Sequence, residues 1–298
     1  ALAVIENRSI AELSLEEENA LHCRFRDYIE KGQIAMVTFH PSFSYEDFVE
    51  GIKPVSAEGR LEYRVEPGIF KTICERATED EHPNKRYVII VDEINRGNMA
   101  SIFGELITLL EPDKRAGKKE ALQVVLPYSK APFSLPGNLY LIGTMNSTDR
   151  SAEMMDAALR RRFAFRELRP DPALIPRIAG GPIAAGIDLP RLLSKINERI
   201  ALLLDADYCI GHGYFQGIQT LDDLRRLFDE RLLPLLQDYF YNDLGKIGLV
   251  LGRDFIRSLP LAELPGAFAD FDYPFAVDTG ERPQFELRRA AQLDEPAF

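Results

Sequence analysis

Cysteine and histidine are scarce in this sequence, and their placement excludes the common metal and disulfide frameworks. Three cysteines, Cys23, Cys74 and Cys209, stand far apart with no CxxC spacing, and the four histidines are equally scattered. Buried, reduced thiols are the expectation, not bridges or a zinc site. No apolar run reaches the roughly 18 to 20 residues that a membrane span needs, and no basic-then-apolar leader opens the chain. The expected location is therefore cytoplasmic, with no membrane partner. Positive charge is also in short supply: 36 Lys and Arg face 47 Asp and Glu, for a formal charge of −11. Phosphate contacts need clustered Lys and Arg, so this balance argues against a generic nucleic-acid surface while leaving room for a local basic patch. One further absence is chemical. The 298 residues hold no GxxxxGK[ST] loop of the kind whose backbone N–H groups cradle phosphates.

What is present alternates between helical and strand texture. The length suits one large domain or one domain with a smaller companion. The opening ALAVIEN reads as the tail of a helix that begins upstream, and Ser14 with Glu17 offers a capping box for the next helix. Leu21, Phe25 and Ile29 recur at helical spacing until Gly32, and a strand follows at IAMVTF. Beyond a turn-rich segment through Gly59, Pro67 starts a helix with Ile69, Phe70, Ile73 and Cys74 on one face. The continuous apolar run YVIIV then fits a parallel strand covered on both faces. Helical spacing returns from Asn98 to Leu110, residues 121 to 135 suggest a hairpin-like excursion, and a second buried strand is expected from Leu139 to Asn146. This alternation predicts an α/β domain with a mostly parallel sheet over residues 1–170. Past about Pro170 the texture becomes helical, at 190 to 204 and 221 to 241, which predicts a small helical second domain over 171–252. Residues 253–298 form an extension with no role legible in them.

Three constellations carry chemistry. The first is VIIVDEINRG, where an apolar strand delivers Asp92 and Glu93 to its end. Two acidic residues there can cap the next helix; in a nucleotide-hydrolysing site Asp92 would hold Mg2+ and Glu93 would polarise the attacking water. The second, GTMNSTDRS from Gly143 to Ser151, also ends an apolar strand. Ligands of open parallel sheets bind outside the carboxyl ends of the strands, so Asn146 would face the same crevice, where its amide can both donate and accept. The third is ALRRRF, Ala158 to Phe163, closing a helix that starts near Ser151. Arginines in a last turn suit the helix dipole, and they can also stabilise a transferring phosphoryl group. Consecutive helical residues point about 100° apart, so Arg160, Arg161 and Arg162 cannot all serve one phosphate.

Together these stretches resemble the AAA+ superfamily. VTFHPSFSYEDFVEGIKP (Val37 to Pro54), VDEINRGNMASIFGELITLLEPDKR (Val91 to Arg115), GTMNSTDRS and MDAALRRRFAF (Met155 to Phe165) are similar to the motor subunit of McrBC-type modification-dependent restriction systems. The resemblance runs in order over roughly residues 30 to 250. It implies an α/β AAA+ P-loop-type parallel sheet flanked by helices, followed by a small all-α lid. It also implies that Asp92 and Glu93 are the Walker B pair, that Asn146 is sensor 1, and that Asp149 and Arg150 complete the MNxxDR element. Arg161 and Arg162 become the candidates for a trans-acting finger and its partner. His212, in IGHGYF, lies in a lid stretch of that family and is expected to be structural. The cofactors so implied are Mg2+ and ATP or GTP; the partners are further copies in a homo-oligomeric ring, commonly a hexamer, an McrC-like endonuclease subunit, and DNA reached through the complex. Without a phosphate-binding loop the 298 residues alone are expected to bind nucleotide weakly or not at all. Two other readings remain open: a non-hydrolysing interaction subunit, and a MoxR-like AAA+ remodelling chaperone.

Overall fold

In the computed structural model, which describes residues 1–57, 60–80, 82, 84–146, 157–179, 186–259 and 284–298, the chain divides into two compact units, Ala1–Phe165 and Arg166–Phe298. Three parallel strands organise the first: β1 (Ile34–Thr38), β4 (Tyr87–Asp92) and β7 (Leu139–Gly143), paired in the order β1-β4-β7. Two antiparallel pairs lie between them in sequence, β2 (Glu50–Ala57) with β3 (Arg60–Pro67), and β5 (Val124–Val125) with β6 (Pro132–Phe133). Parallel neighbours need long crossovers, and the helices supply them.

β4 is central and sealed: Val88, Ile89 and Val91 are fully buried, as the continuous apolar run requires. Beneath the sheet, the helix Ile69–Glu79 turns Phe70, Ile73, Cys74 and Ala77 inward at helical spacing. Phe48 stacks on Phe70 with ring centroids 4.7 Å apart and meets Phe103 edge-on at 4.9 Å. Each such ring contributes about 1.5–3 kcal/mol by leaving water, so this aromatic knot is a main anchor of the unit.

Several local expectations change. The capping box is formed by Ser9 and Glu12 on the short helix Ile10–Leu13, whereas the helix Glu18–Glu30 starts after Glu17 with no side-chain cap. The segment read as turn-rich is the β2–β3 ribbon; a two-stranded ribbon has two free edges, and so it tolerates Pro54. The helix expected over 98–110 breaks at Gly104, whose φ of +49° leaves the right-handed region. An α-helical turn, Met99–Phe103, therefore gives way to a tighter helix, Gly104–Leu110. β7 is shorter than expected and only partly covered, with Tyr140 exposed and Leu141 and Ile142 half-buried, because among the described residues no strand pairs with its outer edge.

The second unit is built on capped helices. Asp188 accepts from the Arg191 N–H and Pro190 sits in the first turn, so Leu189–Leu203 starts sharply and buries Leu189, Leu193, Ile196 and Ile200. Thr220 and Asp223 form a capping box for Leu221–Leu227. A π-helical turn, Phe228–Leu232, leads into Leu233–Tyr239, where Pro234 lacks the N–H that would continue the α ladder. The helix Leu244–Leu251 follows, then β8 (Ile256–Leu259) paired antiparallel with β9 (Gln284–Leu287). Residues of the expected extension enter this core: Phe255, Ile256, Ala290 and Leu293 are buried in it. Phe255 and Phe298 pack around Phe228 with centroids 5.2 and 5.1 Å away. Among the described residues no helix is long and apolar enough to cross a membrane.

Candidate functional site

The register of the sheet brings the first two constellations together. Thr38 pairs with Asp92 and Val91 with Gly143, so β4 and β7 end side by side at their carboxyl ends. The chain continues this pairing past the strands: Thr144 N–H donates to the Val91 carbonyl and Ile94 N–H to the Thr144 carbonyl, both at 2.9 Å. A crevice at that end of a parallel sheet is where ligands bind.

Asp92 is exposed there, and the Thr144 hydroxyl donates to its Oδ1. The same hydroxyl oxygen accepts the Glu93 N–H at 3.3 Å. Thr144 thereby clamps the two acidic residues to β7 and leaves the second oxygen of Asp92 unengaged by that clamp. Glu93 adopts φ 52°, ψ 44°, a left-handed conformation that costs a non-glycine residue about 1–2 kcal/mol. Such strain persists where the surroundings over-determine it. Here they are the Thr144 bonds on one side and Arg96 on the other, whose Nε donates to Glu93 Oε2 at 3.2 Å. Gly97 closes the turn: a Cβ there would lie 2.7 Å from Ile102 Cδ1 and 3.2 Å from Phe39.

Asn95 links the crevice to the third residue. Its side chain is buried, and Nδ2 donates to the Asn146 carbonyl at 3.4 Å, while Oδ1 is buried with no hydrogen-bond partner. Asn146 is exposed beside the acidic pair. The donor set suits a magnesium ion that arrives with phosphates: Mg2+ takes one or two carboxylates and fills its octahedron with phosphate and water oxygens. No group of three or more His, Cys, Asp or Glu able to cage a metal exists among the described residues.

The arginines separate sharply. Arg162 is 7 % exposed and bonds Glu111 Oε1 through Nη2 at 2.8 Å. Arg161 is 68 % exposed, its Nη2 4.0 Å from the same oxygen. Arg160 lies over the Phe165 ring at 5.3 Å. Asp149 and Arg150 lie outside the described residues, as does the expected start of the helix near Ser151. His212, expected to be structural, accepts the Asp171 N–H at its Nδ1, 3.0 Å away.

Sequence reasoning named Asp92, Glu93 and Asn146, which the fold does bring together, but passed over Thr144, Asn95 and Glu111. Thr144 stood inside the GTMN stretch, and a hydroxyl two residues before a site asparagine was a usable signal. Glu111 carried none, since its pairing depends on tertiary contact alone.

Comparison with known proteins adds a second line of argument. Residues 19–163 match the family described as "AAA domain (dynein-related subfamily)", and residues 188–248 match "McrB, alpha-helical lid domain". The chain is 37 % identical over 228 residues to the "Type IV methyl-directed restriction enzyme EcoKMcrB subunit" of Escherichia coli (strain K12), covering 71 % of this chain and 48 % of that protein. It is 26 % identical over 163 residues to the "Type II restriction enzyme BsuMI component YdiS" of Bacillus subtilis (strain 168), covering 44 % and 47 %. The chain thus spans about half the length of the curated relatives it matches.

Proposed function

Because the chain belongs to the McrB family of AAA+ proteins, we propose that its first unit carries the metal-and-water half of a nucleotide-hydrolysing site, working within a ring motor of a restriction system. The observation that carries this reading is the Thr144 clamp, which fixes Asp92 and Glu93 beside Asn146 at adjoining strand ends.

Asp92 would hold the Mg2+ of bound ATP or GTP through its carboxylate. When bound, that ion neutralises charge on the phosphates. Glu93, oriented by Arg96, polarises the attacking water. Asn146, braced by Asn95, donates its amide to the γ-phosphate or holds the water in line. Asp149 and Arg150 keep the roles that the family resemblance gives them. Arg161 is the finger, because an exposed guanidinium can reach the nucleotide of a neighbouring subunit. Arg162 is its anchor, holding the end of the short helix Ala157–Arg160 against Glu111.

A phosphate-binding loop completes the site. The open outer edge of β7 supports this: a further parallel strand added there would bring its own carboxyl end next to Asn146. DNA translocation together with an McrC-like endonuclease is part of the same proposal, and the likeness to restriction-enzyme subunits supports it.

Subunit mixing tests the reading, using a longer protein that carries a phosphate-binding loop. Glu93→Gln and Arg161→Ala are each expected to bind nucleotide but to turn over at least 100-fold more slowly. Mixed together they regain measurable turnover, since an Arg161→Ala subunit keeps Glu93 and its neighbour supplies Arg161. Failure of the mixture, with both variants still binding and assembling, overturns the shared site, and absence of turnover in the parent leaves the non-hydrolysing subunit as the reading.

A further inference from the structure

The β2–β3 ribbon and the β5–β6 hairpin are far apart in sequence, yet one buried carboxylate joins them. Glu50 opens β2 and is completely buried. Its Oε2 accepts from Lys71 Nζ at 2.7 Å. Its Oε1 accepts the N–H groups of Tyr128 and Ser129, at 3.2 and 2.8 Å, within the turn that joins β5 to β6. That turn is tight: Leu126 N–H donates to the Ala131 carbonyl at 3.0 Å, and Lys130 has φ 55°. Two further bonds run parallel to the first. The Tyr128 hydroxyl donates to Glu46, and the Tyr45 hydroxyl donates to Glu105 Oε1 at 2.7 Å.

Burial alone would push the Glu50 carboxyl up, but the Lys71 ammonium and the donors of the 128–129 turn outweigh it and hold the group below its ordinary value. A buried charge with all its partners in place is costly to disturb, because losing one leaves the rest uncompensated. Every partner of Glu50 comes from a different piece of chain: Lys71 from the helix Ile69–Glu79, the N–H pair from the second hairpin, and Glu50 itself from the root of the first. Tyr45, whose hydroxyl bonds Glu105 on the helix Gly104–Leu110, packs beside Tyr128 with ring centroids 6.2 Å apart.

We infer that Glu50 is a positioning residue that couples the two hairpins, so that the turn of β5–β6 and the root of β2–β3 move as one body. Neither hairpin pairs strand to strand with the three-stranded sheet among the described residues, since each forms its own two-stranded pair. The coupling is independent of whether the acidic pair hydrolyses nucleotide.

The test measures the distance between the hairpins. Tyr63 and Val125 are exposed, at 69 % and 64 %. Spin labels are placed on cysteines introduced by Tyr63→Cys and Val125→Cys in the 298-residue chain, in a Cys23→Ser, Cys209→Ser background; Cys74 is buried and does not label. The native Glu50 is expected to give a narrow distance distribution. Glu50→Ala should at least double its width and speed exchange of the Tyr128 and Ser129 amides tenfold or more, leaving the β4 amides unchanged. Glu50→Gln keeps an acceptor but loses the charge, so it should fall between the two and decides the matter if Glu50→Ala does not fold. A distribution as narrow in the folded variant as in the parent, even with a lowered Tm, overturns the coupling and leaves Glu50 a packing residue.

Discussion

β4 and β7 lie side by side and share an apolar texture, YVIIVD and LYLIG, yet one is sealed and the other half open. β4 has a neighbour on each edge and helices over its faces. β7 has β4 on one edge and, among the described residues, nothing on the other. Apolar parallel strands are stable where both edges and both faces are covered. The difference bears on the proposed function: the open edge adjoins the crevice that holds Asn146, where a phosphate cradle would complete the proposed site.

Truncation should break the symmetry of the two strands. Ile89→Ala, in the sealed strand, is expected to cost about 2–5 kcal/mol by urea unfolding. Ile142→Ala, in the open one, should cost about 1 kcal/mol, as partly exposed side chains lose less. Equal losses would mean that β7 is covered in solution. The arginines sharpen the contrast at smaller scale. Arg162→Ala should lose about 2 kcal/mol of stability, because Glu111 is left without its buried charged partner. Arg161→Ala should stay within about 0.5 kcal/mol of the parent, as for other exposed substitutions.

A pH scan gives a smaller effect. Asp80 is held far below its ordinary 3.8 chiefly by Lys85, and by the Tyr87 hydroxyl and the His82 N–H; Glu50 lies below its ordinary 4.5. A carboxyl depressed in the folded state adds stability that is fully present above the unfolded value and is lost as pH falls through the folded one. Stability should therefore fall from about pH 4.5 downward. Asp80→Asn and Glu50→Gln should each flatten that acid limb, read as Tm against pH.

The sequence made the sealed region more legible than the open one. A continuous apolar run ending in Asp92–Glu93 announces a buried parallel strand because burial on both faces leaves no polar alternation. LYLIG has the same texture, but what covers β7 is decided by chain that does not lie beside it in sequence. The β2–β3 ribbon was missed because Gly51, Pro54 and Gly59 are turn formers, and only pairing with β3 makes 50–57 a strand. Gly104 was hidden within a helical pattern whose period continues across it. At the site, the acidic pair and Asn146 were readable from strand ends. Thr144 was within reach of the same strand-end signal, whereas Asn95 and Glu111 act through hydrogen bonds and burial that spacing does not encode, and that same tertiary information separates Arg161 from Arg162.

The central claim is that Glu93 polarises the water in a site completed by a phosphate loop. The most direct measurement is single-turnover hydrolysis by Glu93→Gln in a protein carrying such a loop, with nucleotide affinity measured in parallel. The account predicts affinity within about threefold of the parent and turnover reduced at least 100-fold. Hydrolysis at the parental rate would contradict it.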